Sequence, residues 1–340
     1  MKLIELHIIQ SFPVSCLNRD DVGSPKSATF GGVQRARISS QSLKRAVRLL
    51  AREDSTAFNG IRSRFLLEPF TKALIEAGLD EKGAAEKAKL ICEAFSTIDK
   101  KNPDQVTTAV FLSPDEIRQV AKAVVEGKEP KQAIKKVDRL DAADIALFGR
   151  MVANDASVNV EGAALFSHAL STHSASNEID FFSSVDDLKS DAEDSGASMI
   201  GTLEFNSATY YRYTAINLDQ FSDEKNLGKL TPEQRKEILK DFIRATLTAI
   251  PGARRNSMNA ATLPFEVLGI RKSKGQPLQL VNAFEEPVKA NGKGLQASSL
   301  AAMKSHLESL EKTWGPLGDK FWLTENGLDS FLDQLLSGDV

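Results

Sequence analysis

At 340 residues the chain is long enough for one large domain or two or three small ones, each burying its own core. Its composition is that of a globular protein, no apolar run approaches the roughly 20 residues that span a bilayer, and the start MKLIELHIIQSF lacks the basic, apolar and small-residue parts of a signal peptide. This predicts a cytoplasmic location and no membrane partner. A formal net charge of -3 gives no global attraction to nucleic acid, so any such attraction must come from local segregation of charge.

In chain order, residues 2–10 alternate as a strand, with Ile4, Leu6 and Ile8 on one side and Glu5 and His7 on the other, as expected of a half-buried strand. The stretch SFPVSCLNRDDVGSPKSATFGG, rich in turn residues, predicts a long loop leading into a helix. Residues 53–150 are nearly all helical in pattern and predict an insertion. Within it Ser113-Pro114-Asp115-Glu116 is a helix start. Residues 167–203 have strand-like ends around a polar, acidic middle, the pattern of a long hairpin or arm. TYYRYTAINL reads as a strand in which Tyr211 and Tyr213 alternate toward a core. Thr231-Pro232-Glu233-Gln234 opens a capped helix, PFEVLGIRK and PLQLVNAF predict short strands, and helices are expected near 295–312 and 324–336. The sum is an α+β fold whose element order fits a ferredoxin-like βαββαβ unit with expanded connections. Cys16 and Cys92 have no partners at disulfide or zinc spacing and are expected to be small buried side chains.

The segment VQRARISSQSLKRAVRLLAR, residues 33–52, carries six basic residues and no acidic one. With Ser39 or Ser40 as N-cap, Leu43, Ala46, Val47 and Leu50 fall on one arc and Gln41, Lys44, Arg45, Arg48 and Arg52 on the other. Like charges at i, i+4 repel by a few tenths of a kcal/mol per pair, which a bound polyanion would relieve. Ahead of the helix itself stand Arg19 and Lys26 in the loop, and Arg35 and Arg37 at the start of this segment. The plain alternative is a solvated face whose charges pair with acidic residues elsewhere.

The blocks SCLNRDD, FGG followed by RxRISSQSLKRA, DIALFGRM, VEGAALFSHALSTHS, IDFFSSVDDL, GTLEFNSATYYRYTAINL and PGARR run in order over nearly the whole chain. They resemble the backbone (CasC-type) subunit of the type I-E CRISPR Cascade complex. The resemblance implies a modified RRM-like or ferredoxin-like palm in residues 1–52, 151–166 and 204–340, which include the C-terminal helices. It also implies helical fingers in 53–150 and a β-hairpin thumb in 167–203. It implies that copies of the chain stack along a CRISPR guide RNA beside other Cascade subunits and meet target DNA through the guide. The family's RNA contacts carry over at Arg19, Lys26, Ser39, Ser40, Gln41, Lys44 and Arg45. Arg48 is kept as a basic residue, and Arg254 and Arg255 stand in the family's basic turn after Pro251-Gly252. The thumb's aromatic pair is Phe181-Phe182, a base wedge in the family and otherwise ordinary hairpin packing.

The resemblance implies no catalysis, cofactor or metal. A rival enzyme reading takes Asp20 and Asp21 as ligands of a metal that cleaves RNA. His168 and His173 are five apart in a strand-rich stretch and make a poor metal pair.

Overall fold

The computed structural model describes residues 1–138, 141–152, 154–184 and 199–338. Its first half runs β1 (Leu3–Ser15), β2 (Ser27–Phe30), β3 (Val33–Ile38), α1 (Ser40–Asp54), β4 (Ile61–Ser63), α2 (Leu67–Glu76), α3 (Glu81–Phe95), β5 (Val110–Leu112), α4 (Pro114–Val125), α5 (Pro130–Lys135) and α6 (Ala143–Phe148). The second half runs β6 (Ala164–Phe166), β7 (Ala169–Ser171), β8 (Glu178–Ser184), β9 (Met199–Asn217), α7 (Leu218–Phe221), α8 (Pro232–Thr248), β10 (Glu266–Lys272), α9 (Gly294–Trp314), β11 (Asp319–Trp322) and α10 (Leu328–Leu335).

The main sheet has the order β11-β10-β1-β9-β7-β3-β2, and its pairings are antiparallel. β9 is its long member. Its C-terminal half pairs with β1 from Leu3↔Asn217 to Ser15↔Asn206, and its N-terminal part leaves with β8 as a hairpin from Glu178↔Phe205 to Ser184↔Met199. One face of the sheet buries Ile4, Leu6 and Ile8 against Val47 of α1, Phe242 and Ile243 of α8, and Leu332 and Leu335 of α10. The other buries Ile9, Tyr211, Tyr213 and Ile270 against Met303 and Leu307 of α9.

A strand covered on both faces has no solvent side, and this corrects the half-buried reading of β1: Glu5 and His7 are both fully buried. Most of their polar atoms are met internally: His7 Nδ1 lies 2.8 Å from the Tyr211 hydroxyl, while its Nε2 is buried without a hydrogen-bond partner among the described residues. Glu5 accepts from the Tyr213 hydroxyl at 2.8 Å and the Leu278 amide at 2.6 Å and faces the Lys272 ammonium at 2.7 Å. Burial opposes ionisation of this carboxyl, but His7, Lys272 and the Leu278 amide together hold it below the usual range.

Between α1 and β6 the chain forms a separate apolar cluster of Phe70, Leu74, Ile91, Phe95, Val120 and Ile134, drawn from α2 to α5. The segment is helical as expected, with the β4–β5 pair added. Ser113 starts α4 with a reciprocal capping box to Glu116, and Thr231 starts α8 in the same way with Gln234. Cys16 and Cys92 are buried and unpaired, and burial pushes the Cys92 thiol up to about 12.

Three local expectations change. The predicted loop, residues 11–32, holds the end of β1 and all of β2, which forms a hairpin with β3 just beyond it. PLQLVNAF is not a strand: Val281–Phe284 is a 3₁₀ turn. There, Leu278 and Leu280 donate their amides to Glu5 and to the Tyr211 hydroxyl, so side chains replace a ladder partner. β11, not expected from the sequence, extends the sheet beyond β10.

Candidate nucleic-acid interface

Helix α1 begins at a side-chain cap. Ser39 is its N-cap, accepting from the Ser42 amide at 3.3 Å, while its own amide donates to Asn18 Oδ1 at 2.9 Å. The Ser40 amide donates to His168 Nδ1 at 2.8 Å, so the imidazole carries its proton on Nε2. Partial burial and the nearby Arg37 and Lys26 hold the His168 pKa below its ordinary value. Gln41 is exposed. The cap thus gathers Lys26, Arg37, Ser39, Ser40, Gln41 and His168 around the positive end of the helix.

The basic ridge then divides. Leu43, Val47 and Ala51 are the buried stripe of α1, and Arg45 and Arg52 stand exposed. Arg45 turns to one flank, where it lines a cleft of about 650 Å³ together with Arg19, Ser42 and Arg255. The cleft floor includes Leu17 and Ala260. Lys44 and Arg48 lean to the other flank and are half-buried. The Lys44 ammonium lies 5.7 Å from the Phe166 ring centre and the Arg48 guanidinium 5.1 Å from that of Phe111. Burial lowers the pKa of both cations. No side chain among Arg19, Lys26, Arg37, Lys44, Arg45, Arg48, Arg52, Arg254 and Arg255 forms an ion pair among the described residues. Elsewhere lysines and arginines pair repeatedly with carboxylates, as in Arg150–Glu116 and Lys240–Asp333. Close pairing with acidic residues elsewhere, one part of the solvated-face alternative, is not formed by these cations among the described residues, although Glu53 shares the cleft lining with Arg45 and Asp144 acts on Arg48.

Arg254 does not share the cleft lining of Arg255. It adopts a left-handed backbone with φ 56°, and its side chain turns toward the loop that holds Gly23 and Cys16. Its Nη1 is buried with no hydrogen-bond partner among the described residues. Arg35, counted with the basic segment from sequence, is no surface cation: it is fully buried and donates to the carbonyls of Phe30, Ser171, Phe284 and Glu285. Gly31 makes room for this arrangement, since a methyl group there would stand 1.7 Å from the Glu285 carbonyl oxygen.

On the hairpin the two aromatics separate. Phe181 pairs with Thr202 in register and is 65% exposed, with Ile179 two residues earlier also exposed. Phe182 lies over Gly201, where an added methyl would meet its Cζ at 2.5 Å. One ring is free and the other packs the hairpin. Residues 185–198 of the arm lie outside the described residues.

Asp20 Oδ1 accepts from the amides of Val22 at 3.1 Å and Ser24 at 2.9 Å, so this carboxylate closes its own loop. Among the described residues no group of three His, Cys, Asp or Glu is placed to hold a metal ion. His168 serves Ser40, while His173 accepts from the Thr209 amide at 3.1 Å and faces the Ser174 carbonyl. No helix among the described residues is long and apolar enough to cross a membrane. Sequence reasoning missed Phe111, Phe166 and His168 as neighbours of α1. The helical period showed which side of α1 is basic, but not which distant ring each cation covers.

The model of the CT1975-like protein family matches residues 4–334. Among solved structures, a chain of "CRISPR RNA-guided surveillance complex, pre-nicking" is 27% identical with a TM-score of 0.80, over 99% of this chain and 100% of that one. A chain of "CRISPR RNA-guided surveillance complex" is 23% identical with a TM-score of 0.62 over 98% of each, and shows likeness of fold. No curated protein matches. With its α+β sheet-and-helix architecture and a family match across nearly its whole length, the chain belongs to the CT1975-like protein family.

Proposed function

We propose that this chain binds CRISPR guide RNA along its sugar-phosphate backbone as a repeated, non-catalytic subunit of a type I-E Cascade surveillance complex. It orders the guide for pairing with target DNA in antiviral defence. The observation that carries this reading is the set of cations around α1, none of them ion-paired among the described residues. Phosphates supply the missing countercharge, and the cap of α1 offers the Ser40 hydroxyl and the exposed Gln41 beside them, its Ser39, Ser40 and Ser42 amides being already engaged. Likeness over full length to a chain of an RNA-guided complex supports the same conclusion.

The order β10-β1-β9-β7, with α1 and α8 on one face, supports reading residues 1–52, 151–166 and 204–340 as a ferredoxin-like palm. Residues 53–150 are then the fingers and 167–203 the thumb. The tyrosines of β9 are all buried, so this palm grips backbone and leaves sequence to base pairing. Phe181 is the thumb ring free to wedge against a base, and Phe182 supports it from behind Gly201. Arg19, Arg45 and Arg255 hold RNA at the cleft, Lys44 and Arg48 on the opposite flank.

The test is a titration of several single-stranded RNAs by the chain carrying Lys44→Ala and Arg48→Ala, repeated across salt concentrations. Binding should weaken to the same degree for every sequence, with the salt slope falling by about 0.7 per lost phosphate contact. Loss confined to particular sequences would contradict backbone recognition.

A further inference from the structure

Asp144, at the start of α6, is a fully buried carboxylate that the RNA contacts do not use. Its Oδ1 accepts from the amides of Gly60 at 3.2 Å and Ile145 at 3.0 Å, while Oδ2 is buried without a hydrogen-bond partner among the described residues. A polar atom left so is costly unless its charge is used. Burial raises its pKa to about 6, and the nearby Arg48 is among the influences that oppose the rise.

The surroundings say what the charge faces. A methyl group at Gly60 would stand 2.6 and 2.7 Å from the two Asp144 oxygens and 2.5 Å from Cε2 of Phe111. Carboxylate and ring therefore flank one backbone position, which only glycine leaves open. Over that same ring lies the Arg48 guanidinium. Arg45, Arg52 and Arg62 act on Arg48 as like charges, and Asp144 acts on it with the opposite sign. A flexible side chain among three other arginines would swing away into solvent unless something drew it down.

We propose that Asp144 is a positioning residue: with the Phe111 ring it holds Arg48 at a fixed place on the RNA-facing ridge, so that the segment after α1 sets where this cation meets phosphate. The proposal rests on the RNA-binding reading above. An arginine ordered before binding loses less freedom when the phosphate arrives, and that difference is gained as affinity. The hold is electrostatic and steric, and Arg48 and Asp144 form no ion pair among the described residues.

A double-mutant cycle tests it, with single-stranded RNA affinity measured at several salt concentrations for Arg48→Gln, Asp144→Asn and the pair. Arg48→Gln should weaken binding several-fold and reduce the salt slope by about 0.7. Asp144→Asn should also weaken it several-fold, although it removes a negative charge near the RNA, and should add nothing in the Arg48→Gln background. Binding unchanged or tightened by Asp144→Asn, or losses that simply multiply, would overturn the positioning role and leave the RNA reading intact. Binding unchanged by Arg48→Gln would take Arg48 out of the interface and overturn the positioning role, whereas a wild-type chain that binds no RNA would overturn the reading on which it rests. If Asp144→Asn does not fold, Phe111→Leu replaces it in the same cycle with the same expected coupling.

Discussion

Two arginines on β3, alike in sequence, have opposite fates. Arg35 is enclosed, its guanidinium fork spread over four backbone carbonyls, whereas Arg37 remains half-buried beside His168. Alternation along a strand gives their common side, but only the 3₁₀ turn at Val281–Phe284, distant in sequence, decides that one is covered. Arg35→Lys should lower stability by about 2–4 kcal/mol in denaturant unfolding, because one ammonium cannot replace a planar fork on several acceptors. Phe181 and Phe182 separate in the same manner. Phe181→Ala should leave the melting temperature nearly unchanged and impair pairing of the guide-loaded complex with target DNA. Phe182→Ala should lower the melting temperature by exposing Gly201.

Asp144 carries a pH signature. Its folded pKa of about 6 lies above the ordinary carboxylate value, so the folded chain binds more protons than the unfolded one between about pH 4 and 6. Its contribution to stability therefore improves as pH falls through 6 toward 4. At pH 7 the buried charge costs up to about 3 kcal/mol. Urea unfolding of wild type against Asp144→Asn should show the wild type gaining on the variant across that interval. A constant difference would mean that the carboxyl titrates at its ordinary value.

At the scale of elements, the sequence was most informative where a helix has both a period and a cap. α1 has Ser39 followed by a clean apolar stripe, and α4 and α8 have reciprocal capping boxes. Ser39→Ala should cost about 1 kcal/mol of stability, measured by thermal unfolding, as the Ser42 amide loses its acceptor. Elements whose backbone groups are met by distant side chains were illegible. PLQLVNAF has a strand composition, yet Glu5 and Tyr211 take the amides that a ladder would use. β1 misled for a related reason: α9, some 290 residues later, covers its polar side. The ridge of α1 was visible as a charge pattern, but its division into a cleft flank and an aromatic flank depends on Arg19, Arg255, Phe111 and Phe166, which the fold brings together.

On the scale of the whole molecule, the α+β architecture follows from the order of strands and helices, and family membership follows from motif blocks spread along the entire chain. What neither period nor motif could give is that the cations around α1 lack ion-paired countercharges among the described residues, because ion pairing is a property of the folded surface. The central claim is that a guide RNA supplies those countercharges. The most direct measurement is to co-express the chain with neighbouring complex subunits and a CRISPR transcript, wash the purified assembly at high salt, and extract and sequence the RNA it retains. The account predicts intact guides of one defined length, lost when Lys44 and Arg48 are both replaced by alanine. An assembly that forms without RNA, or that holds RNA cut at regular intervals only when magnesium is present, would contradict it.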